Sequence, residues 1–312
     1  MMASVIKIMA TGKCFVLSIA VVLLIACNNS AARTDLDSRT SGTIHISVDE
    51  SFKPVIDSHI KVFEALNPEA KIIAHYKPQA ECLKDLMNDS IRMVITTHRL
   101  TDEELEIMKD TLEFYPHQDR IAYDAIAVIA NKNCKDSLMD MTDIRSLAKG
   151  TSGYKYKLVL DGLTATSTVR YAVDSLTRGA PFGKNVVAAP NSMGVIDYVS
   201  NNEDAIGLIG VSWIGNPEDT MQSSFLKKVK LVQLECSLCD PIVYTGPYQA
   251  NIARARYPMI RALQYILKEN YDGLGSGFAN FLIYEKGQLI FRRAYLWPGS
   301  MSFDRRNADI IQ

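Results

Sequence analysis

Residues Leu158 to Tyr171 read L-V-L-D-G-L-T-A-T-S-T-V-R-Y. The apolar run from Lys157 to Leu160 predicts a short strand, a turn follows, and Thr166, Ser167 and Thr168 open a helix. The first N–H groups of a helix have no partner within it, and the aligned peptide dipoles make that end partly positive. Hydroxyls on three successive residues add donors, and Arg170 adds a cation two residues later. Such an end suits a small tetrahedral anion. It equally suits a helix that is simply capped by one of its hydroxyls. The rest of the chain has to decide.

Strand followed by helix recurs on both sides of this stretch, the pattern of an α/β fold with a parallel sheet. Upstream, Gly42 to Val48 alternates and is β-branched, so it predicts a strand that ends in the loop Asp49-Glu50-Ser51-Phe52. A helix follows, with Val55, Ile56, Ile60, Phe63 and Leu66 on one face and a stop at Asn67-Pro68. Ala70 to Tyr76 is the next strand, Glu81 to Asn88 a helix, and Arg92 to Thr97 a third strand. Thr101 to Glu104 has the capping-box pattern of a new helix. Ligands of such sheets sit beyond the carboxyl ends of the strands, where Ser51 and Thr97 fall. Ile121 to Ala130 is long and apolar and predicts a strand crossing between two lobes.

Downstream, the spacing predicts a helix over Leu138 to Leu147, a short strand over Asn185 to Pro190 and a helix over Ser192 to Asn201. Further strands are expected over Ala205 to Gly210 and Lys227 to Leu234, and Tyr257 to Leu267 would return the chain to the first lobe. Gly273-Leu274-Gly275-Ser276-Gly277 lacks the lysine and Ser/Thr of a nucleotide loop, and predicts a backbone turn before a helix over Phe278 to Tyr284. Gly287 onward predicts a last strand.

The 312 residues leave room for about two domains. Composition is globular, 47% apolar and 22% charged, and the net charge of −1 offers no basic excess for nucleic acid. The amino terminus has the layout of a signal peptide. Lys7 and Lys13 are its only charges, and an apolar run from Cys14 to Ala26 ends in L-I-A-C. Leu24 to Cys27 resembles a bacterial lipobox, which implies cleavage before Cys27 and lipidation of its sulfur. Asn28 to Ser41 is polar and aperiodic and reads as a tether. Of six cysteines, Cys82, Cys134, Cys236 and Cys239 remain for the folded part. Cys236-Ser-Leu-Cys239 has no second pair or histidine cluster for zinc and no helix start to activate a thiol, so it reads as structural or incidental. The five histidines show no metal-ligand spacing, and no nucleophile-base order or metalloprotease motif is present.

Several stretches, in this order, resemble the phosphate-binding proteins of ABC-type phosphate importers, in particular their lipoprotein form in Bacteroides-like bacteria. They are D-E-S-F-K-P-V-I (Asp49 to Ile56), M-V-I-T-T-H-R-L-T (Met93 to Thr101), T-S-T-V-R-Y (Thr166 to Tyr171), V-I-D-Y-V (Val195 to Val199), A-I-G-L-I-G-V-S-W-I (Ala205 to Ile214) and G-L-G-S-G-F-A-N-F (Gly273 to Phe281). The resemblance implies a periplasmic binding protein-like fold, with two α/β lobes joined by discontinuous crossings and a ligand cleft between them. On that pattern one lobe is residues 42–130 with 258–312, the other residues 131–257, after a signal peptide over 1–27 and a tether over 28–41. It implies a binding protein rather than an enzyme, with no cofactor, that hands inorganic phosphate to an ABC permease. The protein would be exported, held to a bacterial membrane by lipid and facing the periplasm.

The site residues implied are Ser51 with the N–H of Phe52, Thr97 with His98 and Arg99, and Thr166, Ser167 and Thr168 with Arg170. His98 stands where the resembled family commonly carries an arginine. Either His98 enters the cleft and makes affinity pH-dependent, or it faces solvent and Arg170 supplies the cation. Preference for hydrogen phosphate over sulfate needs an acceptor for the ligand's proton, and Glu50, Glu81 and Asp161 are candidates. Other oxyanions (sulfate, molybdate, a phosphonate) are the alternative ligands, and a thiol redox enzyme or an anion sensor are the alternative functions.

Overall fold

The computed structural model describes residues 37–162 and 166–300. The leader, Cys27 and most of the tether lie outside the described residues. The described fold is mixed α/β, built on twelve strands. No helix among the described residues is long and apolar enough to cross a membrane.

β1 (Gly42–Asp49) leads through the turn Glu50–Phe52 into α1 (Lys53–Leu66), which starts on Pro54 and stops at Asn67 before Pro68. β2 (Ala70–Lys77), α2 (Gln79–Lys84), β3 (Ile91–Thr96) and α3 (Asp102–Leu112) follow, and α3 opens on the expected capping box of Thr101 and Glu104. β4 (His117–Asn131) is the long apolar strand. Then come β5 (Leu138–Met139), α4 (Met141–Lys149) and β6 (Lys157–Leu160). α5 (Ser167–Tyr171) runs on as one π-helical stretch to Thr177.

β7 (Val186–Ala188), α6 (Ser192–Asn201) and β8 (Ala205–Gly210) complete the second alternation. α7 (Thr220–Lys228), β9 (Val229–Glu235), β10 (Tyr244–Thr245) and α8 (Gln249–Ala253) precede β11 (Ile260–Leu267). The chain closes with α9 (Leu274–Ile283), α10 (Glu285–Arg293) and β12 (Trp297–Pro298).

The strand order β2-β1-β3-β11-β4-β8-β6-β7 places three parallel strands on each side of a central antiparallel pair, β11 and β4. The first half of β4 pairs with β11 and its second half with β8 and β9, so this strand passes from one side of the sheet to the other. Apolar side chains follow suit. Ile44, Ile46, Phe52, Phe63, Phe278 and Phe291 share one buried cluster, whereas Ile126, Val128, Leu158, Leu208 and Val232 share another. Each fully buried side chain of this size contributes about 1.5–3 kcal/mol of transfer free energy.

The structure departs from the sequence reading in a few places. Residues 38–41, expected as tether, form a turn with a Ser38–Ser41 bridge, and Arg39 pairs with Asp272 at 2.6 Å. The helix expected over Leu138 to Leu147 begins only at Met141, behind the Asp140 cap. The strand expected from Lys227 is preceded by α7, whose polar face had hidden its period. The five residues from Gly273 are not a turn ahead of a helix but its beginning. A Cβ on Gly277 would lie 1.9 Å from the Arg39 carbonyl, so close backbone approach accounts for that glycine. The final strand expected from Gly287 is α10 instead, with only Trp297–Pro298 extended. Cys236 and Cys239 form a disulfide, while Cys82 and Cys134 are free and buried.

Candidate functional site

The expected loops meet at the centre of the sheet, around a residue that the sequence reading passed over. Arg261 lies on β11 directly opposite Asp124 on β4. Its Nε donates to Asp124 Oδ2 at 2.8 Å, and it is 7% exposed. Its Nη1 donates to Ser167 Oγ at 2.8 Å and, more weakly, to Thr168 Oγ1 at 3.5 Å. The guanidinium lies over the Phe52 ring, 4.9 Å from its centroid. Its Nη2 is buried and has no partner. An unpaired buried charged donor costs a large fraction of its hydration, so the arrangement favours an acceptor at that nitrogen.

Ser51 and Ser167 bring the first and third loops together, with their hydroxyls 3.2 Å apart. The Ser51 carbonyl accepts from Ser212 Oγ at 2.7 Å. Glu50 accepts from both the N–H and the hydroxyl of Ser192 at 2.9 Å, at the start of α6. Segments 116 to 161 residues apart in sequence are thus held against each other by hydrogen bonds across the same corner.

A cavity of about 200 Å³ opens beside them. Of the expected residues, Thr97, His98, Arg99, Ser167 and Arg170 line it, together with Gln79 and Arg261. Thr97 Oγ1 donates to Gln79 Oε1 at 2.5 Å, and Gln79 is itself buried at the start of α2. His98 presents its imidazole to Glu104, with Nε2 at 2.8 and 3.0 Å from the two carboxylate oxygens. Glu104 is held below its ordinary pKa: its partial burial acts the other way but is outweighed by the bonds from Thr101 and His98. His98 therefore sits at the wall of the cavity, but with one nitrogen engaged by α3.

Other expected residues are differently placed. Thr166 is the cap of α5: its hydroxyl accepts from Val169 N at 3.1 Å and donates to Asp161 Oδ1 at 2.8 Å. Phe52 contributes its ring beneath Arg261 and is fully buried. Arg170 reaches the rim, its side chain 50% exposed and 3.7 Å from Asp174. Arg99 is exposed. Glu81 is also exposed, whereas Asp161 and Glu50 belong to the corner.

The corner is rich in carboxylates. Burial pushes the pKa of Asp49 up, opposed by the charge of Arg261 and by bonds from Ser167 and Ser51. Burial also raises Asp124, again opposed by Arg261. Asp161 is raised to about 6, mainly by burial and further by the charges of Asp49 and Glu50. Asp49 Oδ2 and Asp124 Oδ1 are buried without a partner. The surroundings thus combine one buried cation, several hydroxyl donors and acceptors able to take a proton. Among the described residues, no group of three or more His, Cys, Asp or Glu is placed to hold a metal ion.

Sequence reasoning missed Arg261, Asp124 and Gln79. A signal existed for the first two: each is a charge in the middle of an otherwise apolar strand, in Y-P-M-I-R-A-L and I-A-Y-D-A-I-A. Charges at such positions are almost never buried unless paired.

The family described as "PBP superfamily domain" matches residues 34–286. A phosphate ABC transporter substrate-binding protein from Clostridium perfringens, solved with bound phosphate, superposes with a TM-score of 0.68 at 20% identity, over 82% of this chain and 99% of that one. An ABC-type phosphate transport receptor from Vibrio cholerae gives a TM-score of 0.59 at 20% identity, over 82% of this chain and 100% of that one. An OxyR variant from Corynebacterium glutamicum gives 0.54 at 11% identity, over 92% of this chain and 75% of that one. These likenesses concern the fold. No curated protein sequence matches the chain.

Proposed function

The chain belongs to the PBP superfamily, and from that premise we propose that it is an extracytoplasmic solute-binding protein that captures inorganic phosphate and delivers it to an ABC importer. The observation that carries the reading is Arg261 Nη2, a buried cationic donor without a partner, beside the Ser51 and Ser167 hydroxyls and a cavity of about 200 Å³. That volume suits a small oxyanion. A hydrogen bond from a charged donor to an ionised acceptor is about twice as strong as a neutral one. The solved phosphate-bound relative from Clostridium perfringens shares the fold and supports the choice of ligand.

Residues 42–130 with 258–312 act as one lobe and residues 131–257 as the other, and the ligand sits where β4 and β11 cross between them. Ser51, Phe52, Thr97, His98, Arg99, Ser167, Thr168 and Arg170 surround the anion together with Arg261 and Gln79, while Thr166 positions Asp161. No bond is made or broken. Hydrogen phosphate brings a proton that a carboxylate such as Asp161 can accept, whereas sulfate brings none and meets only repulsion there. Lipidation at Cys27 and export would hold the protein at the membrane, facing the periplasm and its permease.

Titration calorimetry of the full chain in detergent at pH 7 tests the reading. Saturable one-to-one heat with phosphate, and at least about tenfold weaker heat with sulfate, is expected; absence of heat with phosphate overturns it. His98 in place of an arginine motivates a second reading, another oxyanion. A thermal-shift panel with sulfate, molybdate and methylphosphonate separates the two, because a ligand specific for the folded state raises the midpoint.

A further inference from the structure

A cavity of about 690 Å³ lies apart from the one beside Arg261. Its walls come from the end of α4, the loop before β6 and the loop before β7. It therefore lies at the amino end of β6, whereas Asp161 and Thr166 follow the carboxyl end; the strand between them spans about 10 Å.

Lys149, Lys155, Lys157 and Lys184 line this cavity, against a single carboxylate, Asp204. Lys157 pairs with Asp204 at 3.0 Å. Among the described residues, no carboxylate pairs with the other three. Three exposed lysines without a paired carboxylate therefore line one concavity. Tyr154 and Tyr156 also line it, stacked with centroids 5.8 Å apart and planes 21° apart, and Phe182 adds a third ring.

The walls are tied together rather than loosely apposed. Asn185 Nδ2 donates to the carbonyls of Leu147 and Tyr156, at 3.0 and 3.2 Å. Gly183 N donates to the Ala148 carbonyl at 2.9 Å. Gly150 adopts φ +70°, and a Cβ on Gly183 would lie 2.4 Å from Gly150, so both glycines are needed for the two loops to meet. The Tyr156 hydroxyl donates to Asp136, which fixes the inner ring.

We propose that this cavity is a second ligand site, separate from the phosphate cleft, that binds a multiply charged anion carrying a ring with a stackable face, with the ring on Tyr154 and Tyr156 and the charges on Lys149, Lys155 and Lys184. Lysine ammonium groups are compact, adaptable donors to phosphate, sulfate or carboxylate. Tyrosine faces stack on nucleobases or on the apolar faces of sugars. A nucleotide and an acidic sugar share that chemistry.

The test uses the full chain in detergent, saturated with 5 mM inorganic phosphate (a working concentration on the order of those used to fill such clefts) so that the cleft reading does not enter. ATP and a sulfated heparin disaccharide are titrated as ring-bearing anions, with tripolyphosphate as charge without a ring. Saturable binding of ATP or of the disaccharide is expected, at least about tenfold tighter than tripolyphosphate. Whichever binds identifies the class. The double variant Lys155→Ala/Lys184→Ala is expected to weaken binding about tenfold or more and to steepen no longer with falling salt. Tyr154→Leu is expected to weaken the ring-bearing anion and leave tripolyphosphate unchanged. Phosphate affinity of these variants, measured without the second ligand, stays at the wild-type value. The proposal is overturned if neither ring-bearing anion saturates below millimolar concentration, if tripolyphosphate binds equally well, or if the lysine variant binds as the wild type does.

Discussion

Two helix starts in this molecule are built to receive an anion, and they end differently. At the start of α9, the N–H groups of Gly273, Gly275 and Ser276 donate to the carboxylate of Glu269, at 3.1, 3.2 and 2.9 Å. Arg92 pairs with the same carboxylate at 2.8 Å. The chain supplies its own anion there, and the glycine-rich stretch is closed. At the start of α5, Ser167 and Thr168 face Arg261, whose Nη2 has no partner among the described residues. The same backbone physics serves stability at one end and an open acceptor position at the other. What separates them is the facing side chain: Glu269, four residues before Gly273, closes one start, whereas Arg261, 94 residues from Ser167, faces the other.

The sharpest way to break this contrast is to remove the open cation. Arg261→Met is expected to weaken phosphate binding by about 100- to 1000-fold, since truncating one partner of a buried charged contact costs about 2–5 kcal/mol. Because Asp124 would be left buried and unpaired, calorimetry should be repeated on Arg261→Met/Asp124→Asn, where the fold recovers and binding does not. Recovery of binding in the double variant would mean that Arg261 acts only on the fold.

The carboxylate beside α5 gives the next effect. Asp161 has a folded pKa of about 6 against an ordinary 3.8, so it favours the folded state below pH 4 and loses that contribution as pH rises through 6. Chemical denaturation should show the Asp161 contribution to stability, wild type against Asp161→Asn, falling by about 3 kcal/mol over that window. A parallel pH profile for the two proteins would contradict the buried placement of this group.

Closing the comparison from the other side, Glu269→Ala should lower unfolding free energy by about 2–3 kcal/mol by removing the carboxylate that Arg92 and three N–H groups share, yet change phosphate affinity by less than about twofold. A large loss of affinity would show that the two helix starts are not separate. Ser167→Ala removes one bond to Arg261 and the link to Ser51, and a tenfold loss of affinity, about 1–1.5 kcal/mol, is expected in calorimetry. Arg170→Ala should be the smallest: with its side chain half exposed and its nearest carboxylate at 3.7 Å, a change under about threefold is expected at 0.15 M salt.

Much of the fold was legible because strand and helix periods are local. The run Ile121 to Ala130, apolar but for Asp124, announced the long strand β4, and the Thr101–Glu104 box announced α3. α10 was misread because Gly287 and Gln288 look like strand punctuation; the structure instead packs Gln288 inward, its amide donating to the Ile121 and Leu282 carbonyls. At the site, the hydroxyl loops were legible as helix and strand ends. The cation was not, because Arg170 sits two residues from the hydroxyls in sequence while Arg261 sits opposite Asp124 across a strand pair. Register between β4 and β11 is a tertiary fact, and only the oddity of a lone charge in each apolar strand hinted at it.

A crystal structure grown with inorganic phosphate is the direct measurement. Phosphate oxygens are expected within hydrogen-bond distance, about 3 Å, of Arg261 Nη2 and of the Ser51 and Ser167 hydroxyls. Phosphate bound elsewhere, with Arg261 Nη2 still facing no acceptor, would contradict the account.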